Sequence, residues 1–154
     1  MSAAQEIRGG RRIRITGVVQ GVGFRPFIHR LAMRHDLTGS VRNVAGEVQI
    51  GVQGTDEHIR AFIDALTREA PPLSHIEQVT VESAALAPST AFVIDASLDP
   101  AGQRQPASPD VAMCDKCAAE LIDPANRRYH YPFITCTDCG PRFTVIDAMP
   151  YDRE

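Results

Sequence analysis

The amino-acid sequence predicts an α+β protein with two modules, a β-α-β-β-α-β module and a smaller module built on four cysteines. Along residues 1–96, stretches with an apolar residue at every second position alternate with stretches in which apolar residues recur every three or four positions. The first pattern is typical of strands and the second of helices. Residues 97–110, which are rich in Pro and Ser, show neither pattern and are typical of a linker. All four cysteines follow within residues 111–154, in two C-x2-C pairs. The 154 residues suffice for a small domain and an appendage.

The first strand and helix are predicted from a change of period. Apolar and charged residues alternate from Arg12 to Val18, as they do in a half-buried strand. After a glycine-rich stretch, the apolar residues recur at helical spacing, at Phe24, Phe27, Ile28 and Leu31. Pro26 falls in the first turn, where its missing N–H costs nothing. The helix is expected to end near residues 37–39.

The remaining elements complete a split β-α-β pattern. Residues 40–45 predict a second strand, a turn at Ala45-Gly46 follows, and a third strand carries Val48, Ile50 and Val52. Thr55 and Asp56 suit a helix start, and the second helix carries Ile59, Phe62, Ile63 and Leu66 on one face. Residues 76–81 and a short segment 91–94 are the last extended stretches. We expect a ferredoxin-like arrangement with both helices on one face of an antiparallel sheet.

Composition and charge exclude several function classes. The formal net charge is −3, which disfavours a general nucleic-acid binder because such proteins usually carry a positive field. No apolar run approaches the ~20 residues of a membrane span. The first residues contain no apolar core of a secretory signal. The expected location is therefore the cytoplasm, with no nucleic acid and no membrane as partners.

The stretch between the first strand and helix predicts an anion site. Gly17, Gly21 and Gly23 allow positive φ, so that backbone N–H groups can point inward together. The helix start behind them adds partial positive charge, and Arg25 offers a planar fork to phosphate or carboxylate oxygens. The spacing matches neither a Walker A loop nor a dinucleotide fingerprint. Taken alone, this pattern fits a tight turn equally well.

The histidines and acidic residues show no second catalytic arrangement. His29 and His35 fall on the first predicted helix and His58 on the second, and none is grouped with a Ser or Cys. We expect them to be solvated or capping residues.

Two segments resemble the signatures of the acylphosphatase family. GVVQGVGFR, Gly17 to Arg25, is similar to its phosphate loop, and Gly39-Ser-Val-Arg-Asn43 is similar to its G-x-V-x-N strand. The resemblance implies that Arg25 anchors phosphate and that Asn43, on a second strand expected beside the loop, orients the attacking water. It also implies a phosphate-binding set of Val19, Gln20, Gly21, Val22, Gly23, Phe24 and Arg25. A turn-capping amide at Asn43 and a surface arginine at Arg25 are the alternatives.

The cysteines predict a structural zinc site. Cys114, Cys117, Cys136 and Cys139 form a C-x2-C-x18-C-x2-C pattern, in which two knuckles supply four thiolates to one tetrahedral ion. One Zn²⁺ per chain would then stabilise the fold, with no open position for catalysis. Disulfides would require an oxidising compartment, and a thioredoxin-type redox site lacks its usual context. We expect the linker to keep this site energetically independent of the anion site.

A basic and aromatic cluster lies between the two knuckles, at Arg127, Arg128, Tyr129, His130 and Tyr131. It could contact nucleic acid as a zinc ribbon does. Because the cysteine module has a net negative charge, we expect instead that the aromatic side chains pack inside it as support.

The order of the two modules resembles the N-terminal region of the hydrogenase-maturation carbamoyltransferases, the HypF family. The stretch from Pro109 to Glu154 is similar to that family's first zinc finger and the segment after it. The resemblance implies hydrolysis of carbamoyl phosphate, or of another acyl phosphate, on the way to the cyanide ligand of nickel–iron hydrogenase.

In the full-length proteins of that family, the resemblance further implies ATP and the partner HypE, which act at later domains. The chain is then a fragment or a short relative without those domains. The alternative is a non-catalytic module that binds an anion and uses the finger for interaction.

Overall fold

The computed structural model describes residues 9–98, 111–136 and 138–140, and within them five strands form one sheet in the order β4-β1-β3-β2-β5. The elements follow the predicted order. They are β1 Gly9–Val18, α1 Phe24–Arg34, β2 Thr38–Val44, β3 Glu47–Gly54, α2 Asp56–Arg68, β4 His75–Ser83, β5 Phe92–Ile94 and α3 Asp115–Ile122.

The sheet is mixed, which corrects the expectation of an antiparallel one. β1 pairs antiparallel with both β3 and β4, and β2 pairs antiparallel with β3. The short β5 lies on the outer edge of β2 and runs parallel to it. The chain must therefore cross from one edge of the sheet, at β4, to the other. β3 also separates β1 from β2, so the second strand does not lie directly beside the first.

One apolar core joins the sheet to both helices. Alternate residues of β1, β2 and β3 are buried and face α1 and α2, as the strand period predicts. The helices contribute Phe24, Phe27, Ile28, Leu31 and Ala32 from α1, and Ile59, Phe62, Ala65 and Leu66 from α2. The predicted ferredoxin-like α+β architecture is confirmed in this respect.

Helix α1 ends earlier than the sequence indicates. Asp36 adopts φ 52°, and the Leu37 amide donates back to the Ala32 carbonyl at 3.0 Å. This left-handed residue closes the last turn, and Asp tolerates the conformation better than most side chains. The buried Leu37 then leads into β2.

Residues 97 and 98, which the sequence assigns to the linker, contact the first module. The Leu98 amide donates to the Asn43 carbonyl at 2.8 Å, so residues 97–98 run along the end of β2. Their polar, Pro-rich surroundings in the sequence are those of a linker, although Leu98 itself is hydrogen-bonded to β2. The rest of the predicted linker and residues 141–154 lie outside the described residues. Across the described ranges, no helix is long and apolar enough to cross a membrane.

Candidate active site and metal centre

The segment between β1 and α1, residues 19–23, forms a loop that we call the cradle loop. Val19 and Val22 are 1% and 5% exposed and fix this loop to the core. Gly21 and Gly23 adopt φ of 71° and 72°, the left-handed region that glycine occupies without steric cost. Gly17, the third glycine of the predicted cluster, lies in β1 and not in the cradle loop. It lies at a register shift in β1, and a side chain there would collide with the His75 carbonyl.

The cradle loop leads into an uncapped helix. Gly23 occupies the N-cap position of α1 without a side-chain hydrogen bond, and the first turn holds no acidic residue. The first N–H groups of a helix have no partners within the helix and carry partial positive charge. This helix start can therefore receive an anion.

Arg25, in the first turn of α1, donates from Nη1 to Ser97 Oγ at 3.1 Å. Ser97 is held next to β2 because its neighbour Leu98 is hydrogen-bonded to the Asn43 backbone. The segment after β5 thus links Arg25 to the end of β2. The sequence offered no signal for Ser97, since its partner lies 72 positions away.

Asn43 occupies a core position on β2 that the sheet otherwise fills with apolar side chains. It pairs with Val48 of β3, which pairs in turn with Ile15 of β1, so the three residues form one row across the sheet. Adjacent strands lie ~4.8 Å apart, which separates Asn43 from β1 by ~10 Å. All three side chains are buried, and Asn43 is only 3% exposed.

The Asn43 side chain is poorly satisfied in its buried position. Among the described residues, Oδ1 of Asn43 has no hydrogen-bond partner. A buried amide oxygen without a partner costs free energy, so its presence calls for a bound molecule or for water. The alternative of a turn-capping amide does not fit, because a capping Oδ1 would accept a backbone N–H.

The four cysteines converge on one point. Their Sγ atoms all lie within 4.8 Å of one another. Three of the separations are 3.5 Å for Cys114–Cys136, 3.8 Å for Cys117–Cys139 and 3.7 Å for Cys136–Cys139. A tetrahedral ion with metal–sulfur bonds of ~2.3 Å requires sulfur separations of ~3.8 Å. Disulfides would need ~2.05 Å, so these thiols fit a metal and are not paired by oxidation.

The pKa values of the thiols also indicate that four thiolates would need a cation among them. Burial raises the pKa of Cys117 and of Cys136. Burial acts in the same direction on Cys139, but backbone amides and neighbouring thiols donate to it and lower its pKa to about 6. Four thiolates this close cannot all ionise without a positive ion among them. An ion held by all four thiolates would have no position open for a substrate.

The aromatic cluster of the cysteine module is not packed as expected. Tyr129, Tyr131 and Phe133 are 42%, 52% and 49% exposed, whereas Ile134 is buried against Cys117 and Cys139. The expectation that Tyr129 and Tyr131 pack inside the module as support was therefore wrong. In their place, Ile134 and the partly buried Leu73 pack on the cysteines.

The comparisons with known proteins agree with this geometry. The acylphosphatase family matches residues 11–94, and the HypF finger family matches residues 113–146. The acylphosphatase of Staphylococcus haemolyticus is 39% identical over 72 residues, which are 47% of this chain and 81% of that protein. The chain belongs to the acylphosphatase family. Its acylphosphatase domain is followed by a HypF finger.

Two longer proteins are similar to both modules together. The probable carbamoyltransferase HypF of Methanocaldococcus jannaschii is 45% identical over 93% of this chain and 19% of its own length. A full-length HypF crystallised with phosphate and nucleotide superimposes with a TM-score of 0.86 at 42% identity, over 95% of this chain and 19% of that one. The chain thus spans about a fifth of the length of these HypF proteins.

Proposed function

We propose that the first module hydrolyses acyl phosphates at the cradle loop. The observation that carries the proposal is the uncapped start of α1, with Arg25 beside it and an unpartnered Asn43 Oδ1 at the same end of the sheet. In an acyl phosphate the carboxylate is a good leaving group. Catalysis then depends on neutralising the phosphate charge and on placing a water, more than on a strong base.

In this mechanism the backbone amides of residues 19–23 and the Arg25 guanidinium bind the phosphate oxygens. Asn43 accepts a hydrogen bond from water through Oδ1 and directs the water oxygen at phosphorus. The new P–O bond forms as the bridging P–O bond breaks, and the carboxylate leaves with its electron pair. The proton of the attacking water passes to solvent. Ser97 keeps the guanidinium in place.

We propose carbamoyl phosphate as the substrate, within a longer carbamoyltransferase. The similarity to carbamoyltransferases supports this choice, because carbamoyl phosphate is an acyl phosphate that carries the group such enzymes transfer. ATP, the partner HypE and a role in hydrogenase maturation in the cytoplasm would then belong to the whole protein. The related full-length HypF crystallised in a phosphate- and nucleotide-bound form, which is consistent with that assignment.

The metal in this proposal is one structural Zn²⁺, held by Cys114, Cys117, Cys136 and Cys139. Zinc suits four thiolates in tetrahedral geometry, and a closed site of this kind stabilises a fold without taking part in chemistry. Lys116 and Asp138, which form a 2.7 Å ion pair across the two knuckles, would add a further link between them.

The direct test is hydrolysis of acetyl, benzoyl and carbamoyl phosphate by the purified chain. Arg25→Ala removes a charge-assisted contact worth ~1.5–3 kcal/mol, so kcat/KM is expected to fall by at least ~tenfold. Arg30→Ala, an exposed arginine on the same helix, is the matched control for loss of charge. Unchanged turnover in Arg25→Ala would refute the role of this residue.

Asn43→Ala is expected to lower kcat more than it weakens phosphate binding. Val41→Ala, two residues earlier on the same buried face of β2, controls for lost packing and should lower stability without lowering kcat. If phosphate affinity collapses in Asn43→Ala while kcat is retained, Asn43 is a binding residue and the proposed water is wrong.

A non-catalytic role is the second candidate, favoured by the exposed rings of Tyr129, Tyr131 and Phe133. In that case the cradle loop would bind an anion without turnover, and the rings would contact a partner. Phosphate binding without release of phosphate from any acyl phosphate would select this alternative.

A further inference from the structure

The end of the cysteine module lies against the cradle loop. Gly140 follows the last cysteine, adopts φ 69°, and donates its amide to the Cys136 carbonyl at 2.9 Å. A side chain on Gly140 would collide with the carbonyl oxygen of Gly21 and come within 3.2 Å of its carbonyl carbon. The second knuckle and the anion site are therefore in backbone contact, and the linker does not hold them apart.

A second contact confirms that the two modules meet at this end of the sheet. Leu73 packs both on the main core and on the small cluster of Cys117, Ile134 and Cys139. Leu73 lies just before β4, and Val18 pairs with His75 where β1 leads into the cradle loop. The cysteine module thus rests where β4 begins and β1 ends.

The contact falls on the Gly21–Val22 peptide group, which lies within the cradle loop. Gly21 and Gly23 lack side chains, so the peptide planes between them can rotate at little cost. Phosphate binding needs their N–H groups turned inward, with the carbonyls directed away from the anion. A backbone packed against the Gly21 carbonyl restricts this rotation before any anion arrives.

We propose that Gly140 is a positioning residue, through which the metal-bound second knuckle holds the Gly21 peptide in the orientation that binds phosphate. The inference rests on the proposed phosphate site. It makes the metal centre and the cradle loop coupled sites, so phosphate strengthens zinc binding by the same factor as zinc strengthens phosphate binding.

The main experiment compares Gly140→Ala with Gly46→Ala in the full chain. Gly46 also has positive φ, 89°, but an added side chain there meets nothing within 4 Å, so this variant reproduces the backbone strain without the contact. Calorimetric titration with inorganic phosphate is expected to show roughly five- to tenfold weaker binding for Gly140→Ala, a typical size for coupled sites. Gly46→Ala should bind as the unmodified chain does. Zinc content, measured in parallel, should remain one per chain in both variants.

The reverse measurement needs no variant of the cysteine module. Zinc transfer from the unmodified chain to a chelator is expected to slow several-fold when phosphate is present. In Arg25→Ala, which lacks the phosphate anchor, phosphate should leave the transfer rate unchanged. This measurement decides the proposal if Gly140→Ala fails to retain zinc.

Two results would overturn the inference while leaving the proposed function intact. One is equal or tighter phosphate binding by zinc-loaded Gly140→Ala, and the other is zinc transfer that does not respond to phosphate. If the unmodified chain binds no phosphate at all, the proposed function fails instead. The amide resonance of Val22, whose N–H shares a peptide group with the Gly21 carbonyl, then tests the contact alone. It should shift in Gly140→Ala but not in Gly46→Ala.

Discussion

Helices α1 and α2 pack on the same core, yet their first turns are built in opposite ways. In α2, Thr55 Oγ1 accepts from the His58 amide at 3.2 Å, and two acidic residues, Asp56 and Glu57, complement the positive end of the helix. In α1, Gly23 provides no cap and no acid follows. The protein satisfies the start of α2 with its own side chains and leaves the start of α1 without a side-chain cap.

The start of α3 follows a third pattern. Its N-cap residue is Cys114, which makes no capping hydrogen bond and instead directs its thiol at the other three cysteines. Under the proposed function, the start of α1 binds an anion and the start of α3 holds a metal, whereas the start of α2 is satisfied by the fold itself. A missing cap in a stable helix can thus mark a site, provided that a charged or coordinating residue stands beside it.

The largest loss of stability is expected from Cys114→Ser, which gives α3 a hydroxyl at the N-cap position, as α2 has. Serine is a better N-cap than cysteine, so Cys114→Ser would stabilise the helix if capping were the only role of this residue. As a metal ligand its loss should cost the module much of the ~10 kcal/mol that such sites contribute. We expect loss of bound zinc and of hydrogen-exchange protection in α3. Retained zinc with unchanged protection would contradict the metal site.

Next in size is the introduction of an acid into the first turn of α1. Pro26→Glu places a carboxylate where an anion is expected, and Pro26→Gln is its uncharged control. Relative to the Gln variant, the Glu variant should be more stable by ~0.3–1 kcal/mol and bind phosphate roughly three- to tenfold more weakly. Urea denaturation and phosphate titration measure the two effects. Equal phosphate binding by the two variants would argue against an anion at this helix start.

The positions of the helices and of the cysteine cluster could be predicted from the sequence because they depend on local patterns. The period of Phe24, Phe27, Ile28 and Leu31 located α1, and Thr55 with Asp56 located the start of α2. The cysteine spacing alone predicted that the four thiols converge on one point. Such signals depend on neighbours a few positions apart, which a sequence displays directly.

The features that the sequence did not reveal depend on distant partners. Ser97 lies in a stretch with the composition of a linker, although it holds Arg25, and β3 lies between β1 and β2. The contact of Gly140 with Gly21 joins residues of different modules. In each case the partner is chosen by the tertiary fold, so no local period or spacing reports it.

Removing the cap of α2 is expected to change stability by a similar amount but to leave phosphate binding unchanged. Thr55→Ala deletes the acceptor of the His58 amide and should destabilise the first module by ~1 kcal/mol. Thr55→Ser retains the hydroxyl and is the control. Phosphate affinity should be the same in all three proteins, because this helix start is satisfied internally. A change in phosphate affinity without a change in stability would show that the two helix starts are not independent.

The weakest effect concerns the C-terminal ends of α1 and α2. The two helix starts are built differently, whereas the two ends contact each other. Arg34 at the end of α1 pairs with Glu69 at the end of α2 at 2.6 Å, and the His35 ring meets Phe62 edge-on. Burial, and then the charge of Arg34, lower the pKa of His35 below its ordinary 6.5, and Nε2 of His35 has no partner among the described residues.

Because the folded protein resists protonation of His35 more than the unfolded chain does, this residue makes stability fall as the pH drops below about 6.5. His35→Asn, which still suits a helix end, should therefore give a shallower decline of the unfolding free energy between about pH 7.5 and about pH 5.5. Thr55→Ala carries no titratable change and should lower the whole curve without altering its slope. Urea denaturation at each pH supplies both curves. A slope that is unchanged in His35→Asn would assign the acid sensitivity to other groups.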